Sequence, residues 1–307
     1  MMDKVIRIGT RESQLAVWQA DTVKDLLQEQ GYQCELVYIK SEGDVDLQTP
    51  LYELGVQGIF TKVLDIALLN GTIDIAVHSM KDVPTLMAKG IVQAAVLPRA
   101  SYKDLLVPKK NETFDDSGST PSVIATSSIR RKAQWLNRYP DDTLENLRGN
   151  VNTRLRKVEE SNWQGAIFAA AGLERIGLRP HNAVELDWML PAPAQGAIVV
   201  VCRAEDNDML HACGPLHDAR TAICTSVERD FLRALLGGCA TPISALAEVE
   251  GEELVFRGNI LTTDGADKAE VTMIVPITDT DNLGQKAAKQ LLEHGGQQIL
   301  NSIRNAQ

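Results

Sequence analysis

The apolar run Ile73-Asp74-Ile75-Ala76-Val77 passes directly into His78-Ser79-Met80-Lys81-Asp82-Val83-Pro84. The run reads as a buried strand, so the polar residues fall at its carboxyl end, with the proline fixing the turn. Open α/β sheets hold their ligands beyond such strand ends. There Asp82 could act as an ionised carboxylate that holds a positive charge developing on a reacting group. A plain surface ion pair of Lys81 with Asp82 is the competing reading.

Two further strand-to-helix passages share one design. Thr10-Arg11-Glu12-Ser13 and Thr126-Ser127-Ser128-Ile129-Arg130-Arg131 both set hydroxyls and arginines where a helix begins. Free backbone N–H groups and the helix dipole favour an anion at that place. Each passage therefore reads as a carboxylate or phosphate cradle, and equally as N-capping by serine, which needs no arginine. Arg148 stands before a helix that carries Arg154 one turn in, and the planar fork of arginine pairs bidentately with carboxylate. Cys239, between Gly237-Gly238 and Ala240-Thr241-Pro242, lies on a tight loop. It is either a functional thiol or a small buried hydrophobe.

Elements of a definite kind must position these residues. KVIRIG, the amphipathic LAVWQADTVKDLLQEQ closed by Gly31, and CELVYIK form a strand, helix and strand. The helix TKVLDIALLNG then leads to the strand IDIAVH, which gives an open α/β sheet in the first hundred residues. PRASYKD and KKNETFDDSGSTP mark a break. A second block starts with the strand SVIAT and the helix SSIRRKAQWLNR, then TLENLRG, the helix NVNTRLRKVEE and the strand AIFAAA. AIVVVCR is a buried strand that could return to the first sheet. After the helix TAICTSVERDFLRALL, the strands ELVFRGNILTT and AEVTMIVPIT and the helix NLGQKAAKQLLEH make a small α+β domain. Two α/β lobes joined by two crossings would enclose a cleft.

Composition narrows the chemistry. The chain has 307 residues and 44% hydrophobic side chains, enough for more than one core, which excludes a disordered chain. No apolar run is long enough for a membrane span and no signal peptide is visible, so a cytoplasmic protein is expected. Cys34, Cys202, Cys213, Cys224 and Cys239 have neither disulfide-framework nor zinc spacing, so no metal is expected. The formal net charge of −10 argues against a general nucleic-acid binder. Yet residues 126–157 carry eight bases and three acids, whereas residues 248–307 carry five bases and ten acids. A basic stretch in an acidic protein suggests a local anionic ligand, with solvated helix faces as the bland alternative.

IGTRESQLAVWQA, IDIAVHSMKDVP, ATSSIRR, LRGNVNTRL, AAAGLERIGL, LPAPAQGA and LLGGCATP together resemble the porphobilinogen deaminase (hydroxymethylbilane synthase) family, in its order and over nearly the whole chain. The resemblance implies two periplasmic-binding-protein-like α/β lobes and a C-terminal α+β domain. Residues 1–98 and 196–216 would form the first lobe, 99–195 the second, and 217–307 the domain with the cofactor cysteine.

It also implies a dipyrromethane cofactor, made from two porphobilinogen units and joined by a thioether to Cys239. Four porphobilinogen molecules would add to this primer with loss of ammonia before hydrolysis releases hydroxymethylbilane. Asp82 would stabilise the pyrrole cation and assist proton transfer. Lys81, Asp82, Thr126, Ser127, Ser128, Arg130, Arg131 and Arg148 match the family's cofactor contacts. Arg11, Ser13, Gln19, Arg148, Arg154, Arg175 and Gln195 match its substrate contacts. Every pyrrole ring brings two carboxylates, so the growing chain is a polyanion suited to forked cations.

Three departures from the family pattern stand out: Ser41-Glu42-Gly43-Asp44, Gly55-Val56-Gln57-Gly58-Ile59-Phe60, and Ala194 in place of a frequent glycine. The expected partner is small-molecule porphobilinogen, with no nucleic acid or membrane, and the expected state is a monomer. A cytoplasmic two-lobed small-anion binding protein without catalysis is the alternative from another class.

Overall fold

The computed structural model describes residues 5–40, 61–114, 118, 120–235 and 241–305. Its elements, in chain order, begin with β1 (Ile6–Thr10), α1 (Gln14–Glu29), β2 (Cys34–Tyr38), α2 (Lys62–Leu69), β3 (Ile75–Ser79) and β4 (Ile91–Val96). There follow β5 (Asp104–Pro108), β6 (Val123–Ala125), α3 (Ile129–Arg138), β7 (Thr143–Glu145), α4 (Val151–Glu160), β8 (Gly165–Ala169), α5 (Ala170–Glu174) and β9 (Val184–Glu185). The chain continues through β10 (Ile198–Arg203), α6 (Asn207–Cys213) and α7 (Ala219–Ala234). It closes with β11 (Ile243–Glu250), β12 (Glu253–Leu261), β13 (Lys268–Pro276), α8 (Leu283–Leu291) and α9 (Gln297–Asn305).

The described residues cluster into two units, one drawn from 5–40, 61–100 and 195–222, the other from 101–194 and 223–305. The first holds a sheet in the order β2-β1-β3-β10-β4. β1 runs parallel to β2 and β3, while β10 runs antiparallel between β3 and β4. All but the last residue of β10 (Ile-Val-Val-Val-Cys-Arg) are buried, as a strand covered on both faces requires. Helix α1 turns Ala16, Ala20, Val23 and Leu27 inward at helical spacing, and the last three join Ile6, Ile8, Ile75 and Val200 in one core.

The second unit holds a sheet in the order β7-β6-β8-β5-β9, in which β5 runs antiparallel to both β8 and β9. β6 runs parallel to β7 and β8. The two five-stranded sheets thus have one topology, each with its fourth strand reversed. In each, a parallel strand leads into a helix through a hydroxyl- and arginine-bearing turn. The same unit contains the antiparallel sheet β11-β12-β13, whose core brings Phe231 of α7 against Phe256 with ring centroids 5.1 Å apart.

The mixed α/β architecture agrees with the sequence reading, and AIVVVCR does join the first sheet. Five strands go beyond it: β4, β5, β7, β9 and β11. Pattern alone does not separate β4 and β11 from their surroundings. β5 lies inside the stretch that reads as a break, because the four residues between its two polar segments are too few to show periodicity. No helix among the described residues is long and apolar enough to cross a membrane.

Candidate functional site

In the first unit the site residues leave neighbouring strand ends. Ile8 pairs with Ile75 and Gly9 with Ala76, so β1 and β3 deliver Arg11 and His78 side by side. Ser13 caps α1 by accepting from the Ala16 N–H at 3.4 Å, so the capping reading of this serine holds. Gln19, buried on α1, donates from Nε2 to Ser79 Oγ at 2.8 Å and ties the helix to the end of β3. The strand then tightens into a 3₁₀ turn, Met80–Asp82, whose methionine is buried while Lys81 and Asp82 are exposed. Lys81 Nζ donates to Oε1 of buried Gln195 at 3.2 Å. His78 is buried and its Nε2 has no hydrogen-bond partner. Burial above all, and then the Arg11 charge, pull its pKa from 6.5 to about 4, so the imidazole is neutral at physiological pH.

In the second unit the corresponding passage follows β6. Ser128 caps α3 by accepting from the Arg131 N–H at 3.5 Å, and Thr126 Oγ1 accepts from the Ser128 N–H at 3.2 Å. Ser127 Oγ bonds to Asn146 Oδ1 at 2.8 Å and to the Leu147 carbonyl. These hydroxyls therefore shape the loop, and the arginines carry its charge. Arg130 and Arg131 are 5% and 6% exposed. Arg131 donates from Nε (3.1 Å) and Nη2 (2.7 Å) to Asp104 Oδ1 and from Nη1 to the Ile167 carbonyl (2.9 Å). Arg130 donates from Nη1 to the Leu190 carbonyl at 2.6 Å, and its Nη2 lies 2.8 Å from Asp104 Oδ2. Burial lowers the Arg130 pKa, and Asp104 opposes that effect.

Arg148 is buried too, just before Gly149, whose φ of +115° is strained for an L side chain. A Cβ there would also lie 2.7 Å from Thr153. Asn150 then caps α4 by accepting from the Thr153 N–H at 2.9 Å. Arg154 donates from Nε to the Gly149 carbonyl at 2.7 Å, which holds it against the same turn. Arg175 follows α5, half-buried, with its pKa drawn down to about 10 by burial.

Within each unit, then, Arg11, Ser13, Lys81 and Asp82, and Thr126 to Arg131 with Arg148, follow the carboxyl ends of parallel strands, whereas Gln19 and Arg154 lie on helices, Arg175 follows one and Gln195 precedes the antiparallel β10. Cys239 lies outside the described residues, as do residues 41–60 with the departures at Glu42 and Gln57. Ala194, the third departure, is fully buried at φ +61°, a left-handed conformation that a glycine adopts without strain. Its N–H donates to buried Glu228 Oε2 at 2.6 Å. Asp104 escaped the sequence reading altogether. An acid opening an apolar strand (Asp-Leu-Leu-Val-Pro) is the signal that could have drawn attention to it.

The donor set fits a dipyrromethane, which carries four carboxylates, two from each of its porphobilinogen units. Arg130 Nε is buried and has no hydrogen-bond partner, a costly state that an anionic ligand relieves. Around it stand a second buried arginine and the N-terminal end of α3, both of which favour negative charge.

Each of the two α/β units thus ends parallel strands in arginines and hydroxyls, an arrangement whose charge and free N–H groups favour a carboxylate. Residues 6–211 match the family model described as porphobilinogen deaminase, dipyromethane cofactor binding domain. Residues 222–293 match the porphobilinogen deaminase C-terminal domain. A porphobilinogen deaminase of Syntrophotalea carbinolica is 40% identical over 307 residues, 99% of this chain and 97% of the relative. The chain belongs to the porphobilinogen deaminase family.

Among solved structures, a double mutant of the BvgS VFT2 domain of Bordetella pertussis aligns with a TM-score of 0.42 at 10% identity, over 68% of this chain and 84% of that one. The periplasmic aliphatic sulphonate binding protein SsuA of Escherichia coli aligns with a TM-score of 0.40 at 11% identity, over 75% of this chain and 70% of that one.

Proposed function

We propose that this chain is a hydroxymethylbilane synthase, a transferase of tetrapyrrole biosynthesis. It joins four porphobilinogen molecules, with loss of one ammonia at each addition, and releases the linear product by hydrolysis. The observation that carries this reading is the buried group Arg130, Arg131 and Arg148 inside the segment that matches the family's cofactor-binding domain. When bound, the dipyrromethane supplies the nucleophilic pyrrole carbon on which chain growth starts. Cys239 is its attachment point through a thioether.

The chain's own residues then have separable tasks. Arg130, Arg131 and Arg148, with Thr126, Ser127, Ser128 and Lys81, hold the cofactor carboxylates. Arg11, Ser13, Gln19, Arg148, Arg154, Arg175 and Gln195 hold the acetate and propionate groups of substrate and growing chain. Asp82 keeps an ionised carboxylate at the pyrrole N–H as the ring becomes cationic, and accepts or returns a proton there. Lys81 is steadied by Gln195, whose amide oxygen holds the ammonium without neutralising it.

The domains act as a first lobe of residues 1–98 and 196–216, a second of 99–195, and a C-terminal domain of 217–307. Cys34, Cys202 and Cys213 are free thiols, which suits the reducing cytoplasm. The enzyme acts as a monomer on a small-molecule substrate. A two-lobed anion-binding protein without catalysis gives no use to a C-terminal domain of this family, so it is not favoured.

The test is to incubate purified protein with porphobilinogen, then close and oxidise the released tetrapyrrole to a porphyrin and read its absorbance. Porphyrin yield matching porphobilinogen consumed at one per four supports the reading. Porphobilinogen left unconsumed overturns it.

A further inference from the structure

Arg130 and Arg131 are consecutive residues in the first turn of α3, where the helix dipole already disfavours a cation. Two buried guanidinium groups at such a place repel each other and resist desolvation. One group allows them to coexist. Asp104 is fully buried at the start of β5, a strand held between β8 and β9, and so sits on a rigid element of the sheet. Its Oδ1 accepts two bonds from Arg131 and its Oδ2 lies 2.8 Å from Arg130 Nη2. Backbone carbonyls of Ile167 and Leu190 hold one further N–H of each arginine. One carboxylate against two guanidinium groups leaves one positive charge, and Arg130 Nε is the N–H without a partner.

We infer that Asp104 is a positioning residue of the cofactor cradle: it bridges Arg130 and Arg131, fixes the direction of both forks and leaves one net positive charge for a ligand carboxylate. The inference rests on the reading that these two arginines hold dipyrromethane carboxylates. In this role Asp104 acts through the arginines. Its charge, and not only its bulk, is what the cradle needs. An uncharged residue of the same shape leaves two cations to swing apart, and the pre-set geometry for the ligand is lost.

The experiment uses full-length Asp104→Asn, Asp104→Ala and Arg131→Leu. The fraction carrying cofactor is read as intact mass after denaturation, and cofactor-free protein is then loaded with porphobilinogen over time. Circular dichroism and the melting temperature report folding. Both Asp104 variants should load about tenfold or more slowly, the scale of one lost charge-assisted contact. Formate, a carboxylate small enough for the vacated space, should restore loading of Asp104→Ala, whereas isosteric formamide should not. Wild-type loading in Asp104→Asn, with Arg131→Leu still bare, overturns the role of Asp104 alone. Wild-type loading in Arg131→Leu overturns the underlying reading of the arginines. Equal rescue by formate and formamide makes Asp104 a packing residue and overturns the inference. If neither Asp104 variant folds unaided, Asp104→Ala refolded in formate decides: loading supports the role, and a bare folded protein overturns it.

Discussion

His78 offers a test of the strand-end electrostatics that requires no ligand. Its pKa falls from 6.5 in the unfolded chain to about 4 in the fold, chiefly through burial. Above pH 6.5 the imidazole is neutral in both states and titration contributes nothing. Between 6.5 and about 4 the unfolded chain takes up a proton that the folded chain refuses, so stability falls as the pH falls. Integrated over that window, the loss is roughly 3 kcal/mol, and below it no more is lost. His78→Gln removes the titrating group while keeping an amide of similar reach. Urea unfolding of both proteins at a series of pH values should give a stability difference that is flat above neutrality. From pH 6.5 to 4 the wild type should lose about 3 kcal/mol more than the variant. The chain has five histidines, so the ring resonance missing from the variant identifies His78 by NMR. That resonance should not move until the solution is well below pH 6. Parallel stability curves, or a ring that titrates near 6.5, would refute the neutral buried histidine and leave a second cation beside Arg11.

Asp82→Asn should keep the fold, because the side chain is exposed, while turnover drops by about two orders of magnitude, the scale for one preorganised electrostatic contact. Steady-state assay with porphobilinogen checks this, and retention of more than about a tenth of the turnover would reassign Asp82 to a surface ion pair. The arginines should divide by stage. Arg131→Leu should be purified mostly without cofactor, whereas Arg11→Leu and Arg154→Leu should carry cofactor and stall when substrate is added. The ladder of covalent adducts read by mass distinguishes them, and loss of cofactor in Arg11→Leu contradicts the division.

Where one residue's neighbours in sequence are also its partners in space, the sequence was a sufficient guide. The period of α1, the unbroken apolar run of β10 and the hydroxyl-arginine turns after β1 and β6 all depend on local pattern. What stayed hidden depends on distant pairing. Asp104 and Arg131 meet across 27 positions and Gln19 and Ser79 across 60, and neither separation leaves a periodic trace. The serines were ambiguous for the opposite reason. Ser13 and Ser128 do cap their helices, and capping and anion binding use the same free N–H groups, so spacing could not separate the two roles. Ala194 showed as a departure from the family pattern, but its left-handed backbone and its bond to Glu228 emerge only from the folded chain.

The most direct measurement is the intact mass of the purified, denatured protein beside that of Cys239→Ser. A thioether survives unfolding and a merely bound ligand does not. The wild type should exceed the mass of its sequence by two condensed porphobilinogen units, and Cys239→Ser should show no excess. An unmodified mass in wild-type protein that nevertheless converts porphobilinogen to the tetrapyrrole would contradict the covalent primer, and with it the role of the buried arginines as its cradle.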